Sequence, residues 1–559
     1  MAVAPRAPGP PADRAASLRA LADERFDVLI VGGGIVGAGA FLDAASRGLR
    51  AALVEQADIA SGTSGRSSRL IHGGLRYLEQ LHFGLVAEAL EERSRLLRLA
   101  PHLVRLEAFL FPIYGIPLVH QGFYGAGIFL YDLLGARKDG GFAQHLRPGG
   151  ALEYAPQLRR EGLTGGIVYH DGVEDDARLA LTVVRTALAG ETGGVAATRV
   201  RAEAPILEAG RIVGATVRDL EGDTTFEVRA DRVIDATGVW AARREARFAP
   251  DPGTAHVVPS RGSHIVIRRE RLTARGGMTL RIPGRVVFII PWPDHWIIGT
   301  TDHLDERRPE HLSAPNEDVD ELLATVNKQT QLDLSRADIV GTYAGLRPLI
   351  GGSGDSTVKT SREHKVTTDP SGLVRIGGGK YTTYRVMARD VVDAALGRAE
   401  ARRRPSGTAE LPVLGAAPRP DLDRLAVGLA GVTPGLDALA AARLVDRHGT
   451  EARDVLALGH ELGIEAGDGR PQTLDGVSHL AAEVAWAARH ELARSVDDVL
   501  ARRTRLAQQL PDRGAAIAPR VAELLGAELG WDAARQATEV AAYLETAGAE
   551  FGVPWPPAA

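Results

Sequence analysis

Three glycines near the start of the chain have a spacing that suits dinucleotide binding. Gly32, Gly34 and Gly37 form the pattern G-x-G-x-x-G directly after the apolar run 27–31, and Glu55 lies 18 residues beyond Gly37. In a strand–turn–helix unit, such glycines permit a tight turn, let the backbone approach a pyrophosphate, and let the helix pack closely on the strand. The N–H groups at the helix start attract phosphate. An acid after the second strand accepts hydrogen bonds from ribose hydroxyls and disfavours a 2′-phosphate, which favours NAD or FAD over NADP.

A second segment, far along the chain, favours FAD. The run 231–235 reads as a strand, and Ala236, Thr237 and Gly238 follow it. FAD proteins that bind through two strand–turn elements often carry such an A-T-G segment. By itself the segment indicates only a strand and a turn, so its value depends on its combination with the glycine-rich motif.

A third segment, starting at Ile376, reads as a strand, a glycine turn and the beginning of a helix. Gly379 ends the turn, and Thr382 or Thr383 is predicted as the N-cap. A helix N-terminus directed at the flavin pyrimidine would stabilise the negative charge of the reduced ring. One FAD would bring together three segments that are hundreds of residues apart.

With these segments in view, the chain resembles the FAD-dependent glycerol-3-phosphate dehydrogenases of the aerobic, membrane-associated type. Most of the resemblance lies in 61–79, the run SGTSGRSSRLIHGGLRYLE. Further matching segments are 171–179, 262–265, 298–302, 342–348, 377–385 and 498–506. Order and spacing agree from about residue 26 to about residue 506. The chain departs from the family at Val36, where Asn is frequent, and at Arg69, where many members have Lys.

The resemblance implies that sn-glycerol 3-phosphate is oxidised to dihydroxyacetone phosphate by hydride transfer to N5 of FAD, with electrons passed to a membrane quinone. It also implies a cytoplasmic protein held peripherally on the inner face of the cytoplasmic membrane, and it is compatible with a homodimer. An oxygen-dependent glycerol-3-phosphate oxidase and an amino-acid or amine oxidase of the same superfamily are alternatives. A flavin-binding sensor without turnover is a third alternative.

The motifs and the resemblance together predict the residues that hold the cofactor. They belong to the glycine-rich motif, the loop after residue 60, the A-T-G segment and the third segment. The predicted FAD contacts are Gly32, Gly34, Gly37, Glu55, Thr63, Ser64, Ser67, Ser68, Ala236, Thr237, Gly238, Gly379, Lys380, Thr382 and Thr383.

The substrate phosphate calls for cationic side chains, because charge-assisted hydrogen bonds are strong and Arg can donate two in parallel. The motif segments supply Arg76, Arg347, Lys380 and Arg385, with Tyr77 as a hydroxyl partner. The resemblance places Arg76, Tyr77, Arg347 and Lys380 around the substrate.

A histidine is the expected base, since its pKa lies near working pH. The resemblance places His264 over the substrate and favours it as the base, whereas His72 is expected to contact the flavin or support its loop. The choice between the two stays open. Asp302 either orients a base or a cation, or caps a turn. The acidic run 174–176 is predicted to begin a helix, and no metal site is predicted.

These segments predict an α/β fold in which a Rossmann-type FAD-binding domain is interleaved with an antiparallel-sheet substrate (cap) domain, followed by an all-helical C-terminal domain. The predicted divisions are a flexible tail at 1–25, the FAD-binding unit at 26–400 with cap segments at about 101–165 and 255–340, a linker at 401–420 and the helical domain at 421–555. One helix is predicted to carry a buried apolar stripe formed by Val484, Ala488, Leu492, Val496 and Leu500.

Composition excludes several classes of function. The chain has 559 residues, 66 Lys and Arg against 71 Asp and Glu, and a net charge of −5, which argues against binding nucleic acid through bulk charge. The absence of Cys excludes disulfides, cysteine-ligated metals and cysteinyl-linked cofactors. No run of about 20 apolar residues predicts a transmembrane helix. The aromatic-rich segment 108–134 is a candidate membrane-contact surface, with packing inside the cap or at a subunit interface as the alternative.

Overall fold

The computed structural model describes residues 13–73, 83–115, 141–242, 256–283, 285–305, 307, 309–351, 363–466 and 469–553. Within these ranges the chain forms three β-sheets and a set of helices. The α-helices are Arg14–Asp23, Ile35–Ser46, Phe83–Leu99, Pro148–Tyr154, Asp176–Leu188, Asn316–Gln329, Tyr384–Arg403, Arg419–Val432, Ala438–His448, Ala452–Glu461, Ala482–His490, Leu506–Gln509, Ala518–Leu529 and Ala533–Phe551.

A six-stranded, mainly parallel sheet lies at the centre of the cofactor motifs. Its strand order is His364–Thr368, Val374–Gly378, Val233–Asp235, Val28–Val31, Ala51–Glu55 and Val195–Thr198. Only the first two neighbours pair antiparallel. Every residue of Val28–Val31 is buried, as expected for a parallel strand covered on both faces. The strand–turn–helix–strand order predicted around the glycine-rich motif is confirmed.

Helices cover this parallel sheet. Ile35–Ser46 is mostly Ala, Gly and apolar residues and packs against both Asp176–Leu188 and Tyr384–Arg403. At Gly39 a Cβ atom would lie 2.9 Å from the Cβ of Ala388, so the small residue sets how closely two helices approach.

A larger, mainly antiparallel sheet forms the neighbouring layer. Its strands are Leu70–Ile71, Val104–Tyr114, Gln144–Leu146, Leu163–Glu174, His256–Arg268, Gly277–Ile282, Arg285–Trp292, His295–Gly299, His303–Leu304 and Ile339–Gly351. The long strands His256–Arg268 and Ile339–Gly351 pair from His256 opposite Gly351 to Ile267 opposite Ile339. One pair, Gly277–Ile282 with Val104–Tyr114, is parallel. This sheet carries the segments that the sequence assigned to the substrate side.

The candidate membrane-contact segment is part of this sheet where the structure describes it. Phe109 and Phe111 lie on Val104–Tyr114 and are almost fully buried, because their strand is covered on both faces. The interpretation as a membrane surface is therefore wrong for these two residues. Residues 116–134 of the segment lie outside the described ranges.

A small four-stranded sheet contains Arg25–Phe26, Thr224–Ala230, Arg211–Asp219 and Val200–Glu208. The helix Arg14–Asp23 packs against it, with Asp13 as its N-cap and Leu21 fully buried. Arg14 also donates to Asp219 at 2.7 Å. The expectation of a flexible tail is therefore wrong for residues 14–23, where one buried apolar side chain and the ion pairs of Arg14 with Asp219 and Glu221 hold a helix in place.

The last part of the chain is helical, as predicted, but the apolar stripe does not lie on one helix. The helix Ala482–His490 ends before Leu492, whose φ of 59° is left-handed, and a π-helix, Asp498–Arg503, follows. All five stripe residues are buried. The prediction of a core stripe is confirmed, and the prediction of a single continuous helix is wrong because a turn interrupts the four-residue spacing.

Buried ion pairs join the C-terminal helices to the parallel-sheet layer. Asp58 accepts hydrogen bonds from Arg502 at 2.5 Å and from Arg503 at 2.5 and 2.9 Å. Arg178 donates to Glu491 at 2.7 Å. Removing one partner of such a pair leaves an uncompensated buried charge, so these contacts fix the relative position of the two layers.

The observed architecture confirms the predicted fold class: α/β, with a parallel nucleotide-binding sheet, an interleaved antiparallel sheet and a helical C-terminal domain. Among the described residues, no helix combines the length and the apolar character needed to cross a membrane.

Candidate active site

A cavity of about 660 Å³ lies where the carboxyl ends of the parallel strands meet the antiparallel sheet. In open parallel sheets ligands bind in the crevice outside these strand ends. Residues from all three cofactor motifs line this one cavity. Those that the sequence predicted are Gly32, Gly34, Glu55, Thr63, Ser64, Ser67, Ser68, His72, Ala236, Thr237, Gly238, His264, Arg347, Gly379, Lys380 and Thr382.

The glycine-rich turn has no room for side chains. At Gly32, which has φ of 110°, a Cβ atom would lie 2.7 Å from the carbonyl oxygen of Ala236. At Gly37 it would lie 1.9 Å from the carbonyl oxygen of Gly32. Gly37 does not line the cavity and has the packing role that its place in the motif predicts. Gly34 is the N-cap and has no side chain to cap the helix; Ser64 Oγ accepts from the N–H of Ile35, while Gly34 and Val36 line the cavity.

Glu55 holds the turn from the end of the second strand. Its carboxylate accepts hydrogen bonds from the N–H groups of Gly33 at 2.6 Å and Ala57 at 2.8 Å. Burial raises the pKa of Glu55 above its ordinary value, while these two donors oppose the rise. The side chain thus stabilises the loop backbone and also borders the cavity, where a ribose hydroxyl could be recognised.

The loop 61–69, which we call the flavin loop, is held against three other elements. Ser64 Oγ accepts from Ile35 N at 2.9 Å, and Thr63 Oγ1 donates to Leu346 O at 2.5 Å. Ser67 N donates to Asp176 at 2.9 Å. The side chains predicted to contact the cofactor therefore also position the loop that carries them.

The third motif approaches the cavity differently from the prediction. Tyr381–Thr383 is a 3₁₀ turn, and the α-helix begins at Tyr384. Thr382 Oγ1 accepts from His72 N at 3.1 Å instead of capping the helix, and Thr383 occupies the N-cap position without a capping side-chain hydrogen bond. Thr383 is thus the N-cap residue, one of the two that the sequence predicted, but its hydroxyl donates to Lys380 O at 3.4 Å and does not cap the helix. Thr383 is buried and does not line the cavity.

His264 is buried at the wall of the cavity. Its Nε2 atom lies 2.9 Å from Ser68 Oγ, and its ring stacks on Tyr343 with centroids 4.6 Å apart. Nδ1 is enclosed and has no hydrogen-bond partner among the described residues. Burial, with the charges of Arg347 and Arg69, holds the pKa of His264 well below its ordinary value. The ring is therefore neutral at working pH, as a proton acceptor must be.

His72 lies on a different side of the cavity. Its backbone bonds with Thr382, and its ring meets Phe288 edge-on with centroids 6.0 Å apart. The structure thus ties His72 to the third cofactor motif and His264 to the flavin loop.

Arg347 lines the cavity from the antiparallel sheet. Its guanidinium donates to Thr300 Oγ1 at 2.9 Å and lies 3.4 Å from Asp302. A Cβ atom at Gly262 would come within 2.3 Å of this guanidinium, so Gly262 provides the space it occupies. Asp302 therefore contacts a cation, one of its two predicted roles.

Other predicted groups lie elsewhere. Arg385 donates to both carboxylate oxygens of Glu92, at 2.6 and 2.7 Å, and does not line the cavity. The hypothesis that Arg385 binds substrate is wrong, since this buried pair occupies it. Arg76 and Tyr77 lie outside the described residues. Asp175 is the N-cap of the helix Asp176–Leu188, as the acidic run predicted.

Sequence reasoning missed several cations that line the same cavity: Arg66, Arg201, Arg281 and Arg285. Arg281 lies between Leu280 and Ile282, the same kind of apolar setting that identified Arg347, so this signal could have found it. Arg66 follows the Ser-Gly run of the flavin loop, which is a second local signal. The other three lie on strands that the fold brings to the cavity.

Comparisons with known proteins give a consistent family. Residues 27–393 match the family model described as FAD dependent oxidoreductase, and residues 406–536 match the model of the C-terminal domain of alpha-glycerophosphate oxidase. A relative from Mycobacterium tuberculosis, Glycerol-3-phosphate dehydrogenase 2, is 45% identical over 545 residues, covering 97% of this chain and 91% of its own. The mitochondrial glycerol-3-phosphate dehydrogenase of Bos taurus is 34% identical, covering 96% and 75%.

A solved structure has a similar fold over nearly the whole length of this chain. The X-ray structure of the glycerol-3-phosphate dehydrogenase from Bacillus halodurans, complexed with FAD, has a TM-score of 0.78 and 28% identity, covering 97% of this chain and 98% of that one. The L-alpha-glycerophosphate oxidase from Mycoplasma pneumoniae shares the fold, with a TM-score of 0.51 and 18% identity over 66% of this chain and 95% of its own.

Proposed function

Because the chain belongs to the family of FAD-dependent glycerol-3-phosphate dehydrogenases, we propose that it oxidises sn-glycerol 3-phosphate to dihydroxyacetone phosphate. The observation that carries this proposal is the pairing of a neutral, buried His264 with the cation of Arg347 in the cavity that the FAD motifs line. A secondary alcohol needs a base, and a phosphate needs a cation. His264 and Arg347 lie together at the antiparallel-sheet wall of this cavity.

FAD is the cofactor, and the residues present fit it. The glycine turn excludes side chains where a pyrophosphate must approach, and the helix N-terminus at Gly34, which lines the cavity, is suited to its charge. Glu55 would face the ribose, and Ser67, Ser68, Lys380 and Thr382 would surround the flavin. When bound, the flavin supplies the two-electron acceptor that no side chain of this chain can provide.

Arg347 and Lys380 would bind the substrate phosphate, together with Arg76 and Tyr77 as the family resemblance implies. Arg347 is well suited because Thr300 and Asp302 already fix the plane of its guanidinium. A fixed cation binds the phosphate in one orientation and thereby positions the carbon that is oxidised. Glycerol lacks the phosphate group that Arg347 would bind and is therefore expected to be a poor substrate.

His264 would take the proton of the substrate hydroxyl at Nε2. Nδ1 is enclosed by protein, whereas Nε2 faces the Ser68 hydroxyl at the cavity wall. The lowered pKa keeps the ring neutral before the substrate binds, and the tautomer with its proton on Nδ1 leaves Nε2 as the acceptor. A positioned base of this kind contributes about 10²–10⁴-fold to the rate. His72 would support the flavin side through its bonds with Thr382.

We further propose a quinone as electron acceptor, with the protein held peripherally on the inner face of the cytoplasmic membrane, where a quinone is dissolved. Oxygen is the second candidate acceptor, since residues 406–536 match the C-terminal domain model of alpha-glycerophosphate oxidase. The two acceptors differ in one product, because only oxygen yields hydrogen peroxide.

The test is an anaerobic reduction of the purified, FAD-loaded protein. Bleaching of the visible flavin band by sn-glycerol 3-phosphate, and not by glycerol, is expected. Failure to bleach with this substrate refutes the proposal, and bleaching by an amino acid instead would support the amine-oxidising alternative. Restoring the colour with a soluble quinone, or with oxygen and stoichiometric peroxide, then assigns the acceptor.

A further inference from the structure

Two side chains stand in line behind the imidazole of His264. Its ring stacks on Tyr343, nearly parallel at 11°. The guanidinium carbon of Arg69 lies 5.7 Å from the centroid of the Tyr343 ring and 4.1 Å from that of Trp292. Stacked rings and a cation over their faces attract one another. The position of the base therefore depends on residues that do not line the cavity.

Arg69 is anchored from the C-terminal domain. The side chain is 1% exposed, and its guanidinium donates a short hydrogen bond to Oε1 of Gln508. Gln508 is itself buried, on the short helix Leu506–Gln509. This helix lies directly against the strand that carries Tyr343, because a Cβ atom at Gly341 would be 2.6 Å from the carbonyl oxygen of Gln508.

The backbone of the flavin loop reinforces the same arrangement. Ser67 Oγ accepts from Arg69 N at 2.9 Å, and Ser67 O accepts from the Tyr343 hydroxyl at 3.1 Å. Ser68, between them, places its hydroxyl 2.9 Å from Nε2 of His264. A shift of Arg69 would thus move both the surface on which the imidazole stacks and the hydroxyl that it faces.

We propose that Arg69 and Gln508 are positioning residues for the reaction: Gln508 of the C-terminal domain anchors Arg69, and Arg69, through Tyr343 and the flavin loop, holds the imidazole of His264 in place. This inference rests on the proposed function, in which His264 is the base. It assigns to the helical domain a part in catalysis although neither residue lines the cavity.

The same contacts have an electrostatic consequence. The groups that face His264 are Arg347 and Tyr343 from one neighbouring strand, Ser68 and Arg69 from the flavin loop, and Gly299, followed by Asp302, from the other strand. Arg69 is one of two cations that disfavour an imidazolium here. A unit charge roughly 10 Å away, in a medium of effective dielectric constant about 20, changes a pKa by about one unit.

The first test compares Arg69→Met with Arg69→Lys in the FAD-loaded protein. Methionine keeps much of the volume and removes the charge, whereas lysine keeps the charge. We expect the acid limb of the kcat/KM profile to move up by about one pH unit in Arg69→Met, and to stay near its wild-type position in Arg69→Lys. FAD content and the melting temperature are measured on each variant, since Arg69 is buried.

A second readout requires no substrate. Diethyl pyrocarbonate acylates neutral imidazole, so the rate of His264 modification against pH, followed by peptide mass spectrometry, reports the pKa of this residue directly. We expect the same upward shift in Arg69→Met. If sn-glycerol 3-phosphate fails to reduce the wild-type flavin, the proposed function falls, while this modification profile still decides whether Arg69 acts on His264.

The part played by the C-terminal domain is tested by Gln508→Met. We expect kcat to fall at least tenfold with KM nearly unchanged, because Arg69 loses its anchor while the phosphate site is retained. Gln472→Met is the matched control: Gln472 accepts from Arg520 at 3.1 Å and donates to Glu465 O at 2.9 Å, so these contacts stay within the C-terminal domain. Gln508→Glu keeps an acceptor for Arg69 and should recover most of kcat.

Two results would overturn the proposal. One is an unchanged acid limb and an unchanged modification profile in Arg69→Met that retains FAD. The other is a Gln508→Met variant whose kcat matches that of Gln472→Met. If Arg69→Met does not fold, Gln508→Met alone decides, since it leaves the buried charge in place.

Discussion

Glu55 offers a sharp test of how the cofactor turn is held. The substitution Glu55→Gln keeps the size and one carbonyl oxygen of the side chain but replaces the other oxygen with an NH₂ group. The wild-type carboxylate accepts from Gly33 N at 2.6 Å and from Ala57 N at 2.8 Å. The amide can accept only one of these hydrogen bonds, and its NH₂ group then faces a second donor.

The free-energy loss in Glu55→Gln can be worked out from these two hydrogen bonds. A hydrogen bond to a charged group contributes about 1.5–3 kcal/mol, and a buried donor left without a partner costs about 1–3 kcal/mol. We therefore expect a loss of about 2–3 kcal/mol. If the turn relaxes in the FAD-free protein and must re-form on binding, this loss raises the Kd for FAD roughly 30- to 150-fold. If the turn stays formed, the loss lowers the free energy of unfolding instead.

The assay measures both quantities on one preparation. FAD binding to the FAD-free protein is measured by calorimetry, and the free energy of unfolding by urea titration. Glu227→Gln is the control, since the exposed Glu227 side chain pairs, among the described residues, only with Arg229 at the surface and neither measurement should change. The reasoning is refuted if Glu55→Gln leaves the sum of the two energies within about 0.5 kcal/mol of wild type, a change typical of ordinary surface substitutions.

Four further outcomes are expected. His264→Asn should slow anaerobic flavin reduction about 10²–10⁴-fold while the flavin spectrum is retained, and a loss below tenfold would contradict its role as base. In the wild-type protein, burial and the nearby cations lower the pKa of His264. We therefore expect kcat/KM to stay constant as the pH falls through 6.5 and to decline only below that value. An acid-limb midpoint at or above 6.5 would contradict a lowered pKa. Arg347→Gln should raise KM for sn-glycerol 3-phosphate about 10- to 150-fold, because a charged hydrogen bond is lost. An unchanged KM would show that the substrate phosphate does not bind at Arg347. Asp58→Asn should lower the free energy of unfolding in urea by about 3–5 kcal/mol, because Arg502 and Arg503 lose their shared carboxylate, and a change below 1 kcal/mol would show that Asp498 compensates.

The sequence by itself determined the elements whose signals are local. The strands at 28–31 and 51–55 and the helix between them follow from an apolar run, a glycine spacing and Gly48, whose φ is 76°. A strand, a tight turn and a helix start are each encoded within a few residues. The cavity residues within those motifs could therefore be predicted from the sequence, including Gly32, Gly34 and Glu55.

Local signals were misleading where a long-range contact decides. Arg385 has the same kind of motif setting as Lys380, yet a bidentate pair with Glu92, nearly 300 residues away, removes it from the site. The aromatic residues Phe109 and Phe111 are consistent with a membrane surface in sequence, but their strand is covered on both faces. Spacing alone cannot say which of several partners a charged or apolar side chain meets.

Only the tertiary structure decided how the base is held. The residues that meet His264 come from the flavin loop, from the strand that carries Tyr343 and, through Arg69, from Gln508 in the last part of the chain. No pattern in the sequence relates position 69 to position 508, since neither hydrophobic periodicity nor turn chemistry extends beyond a segment. Sequence patterns record the conformation of each segment, whereas the choice of partners among distant segments is made by packing and by the need to pair every buried charge.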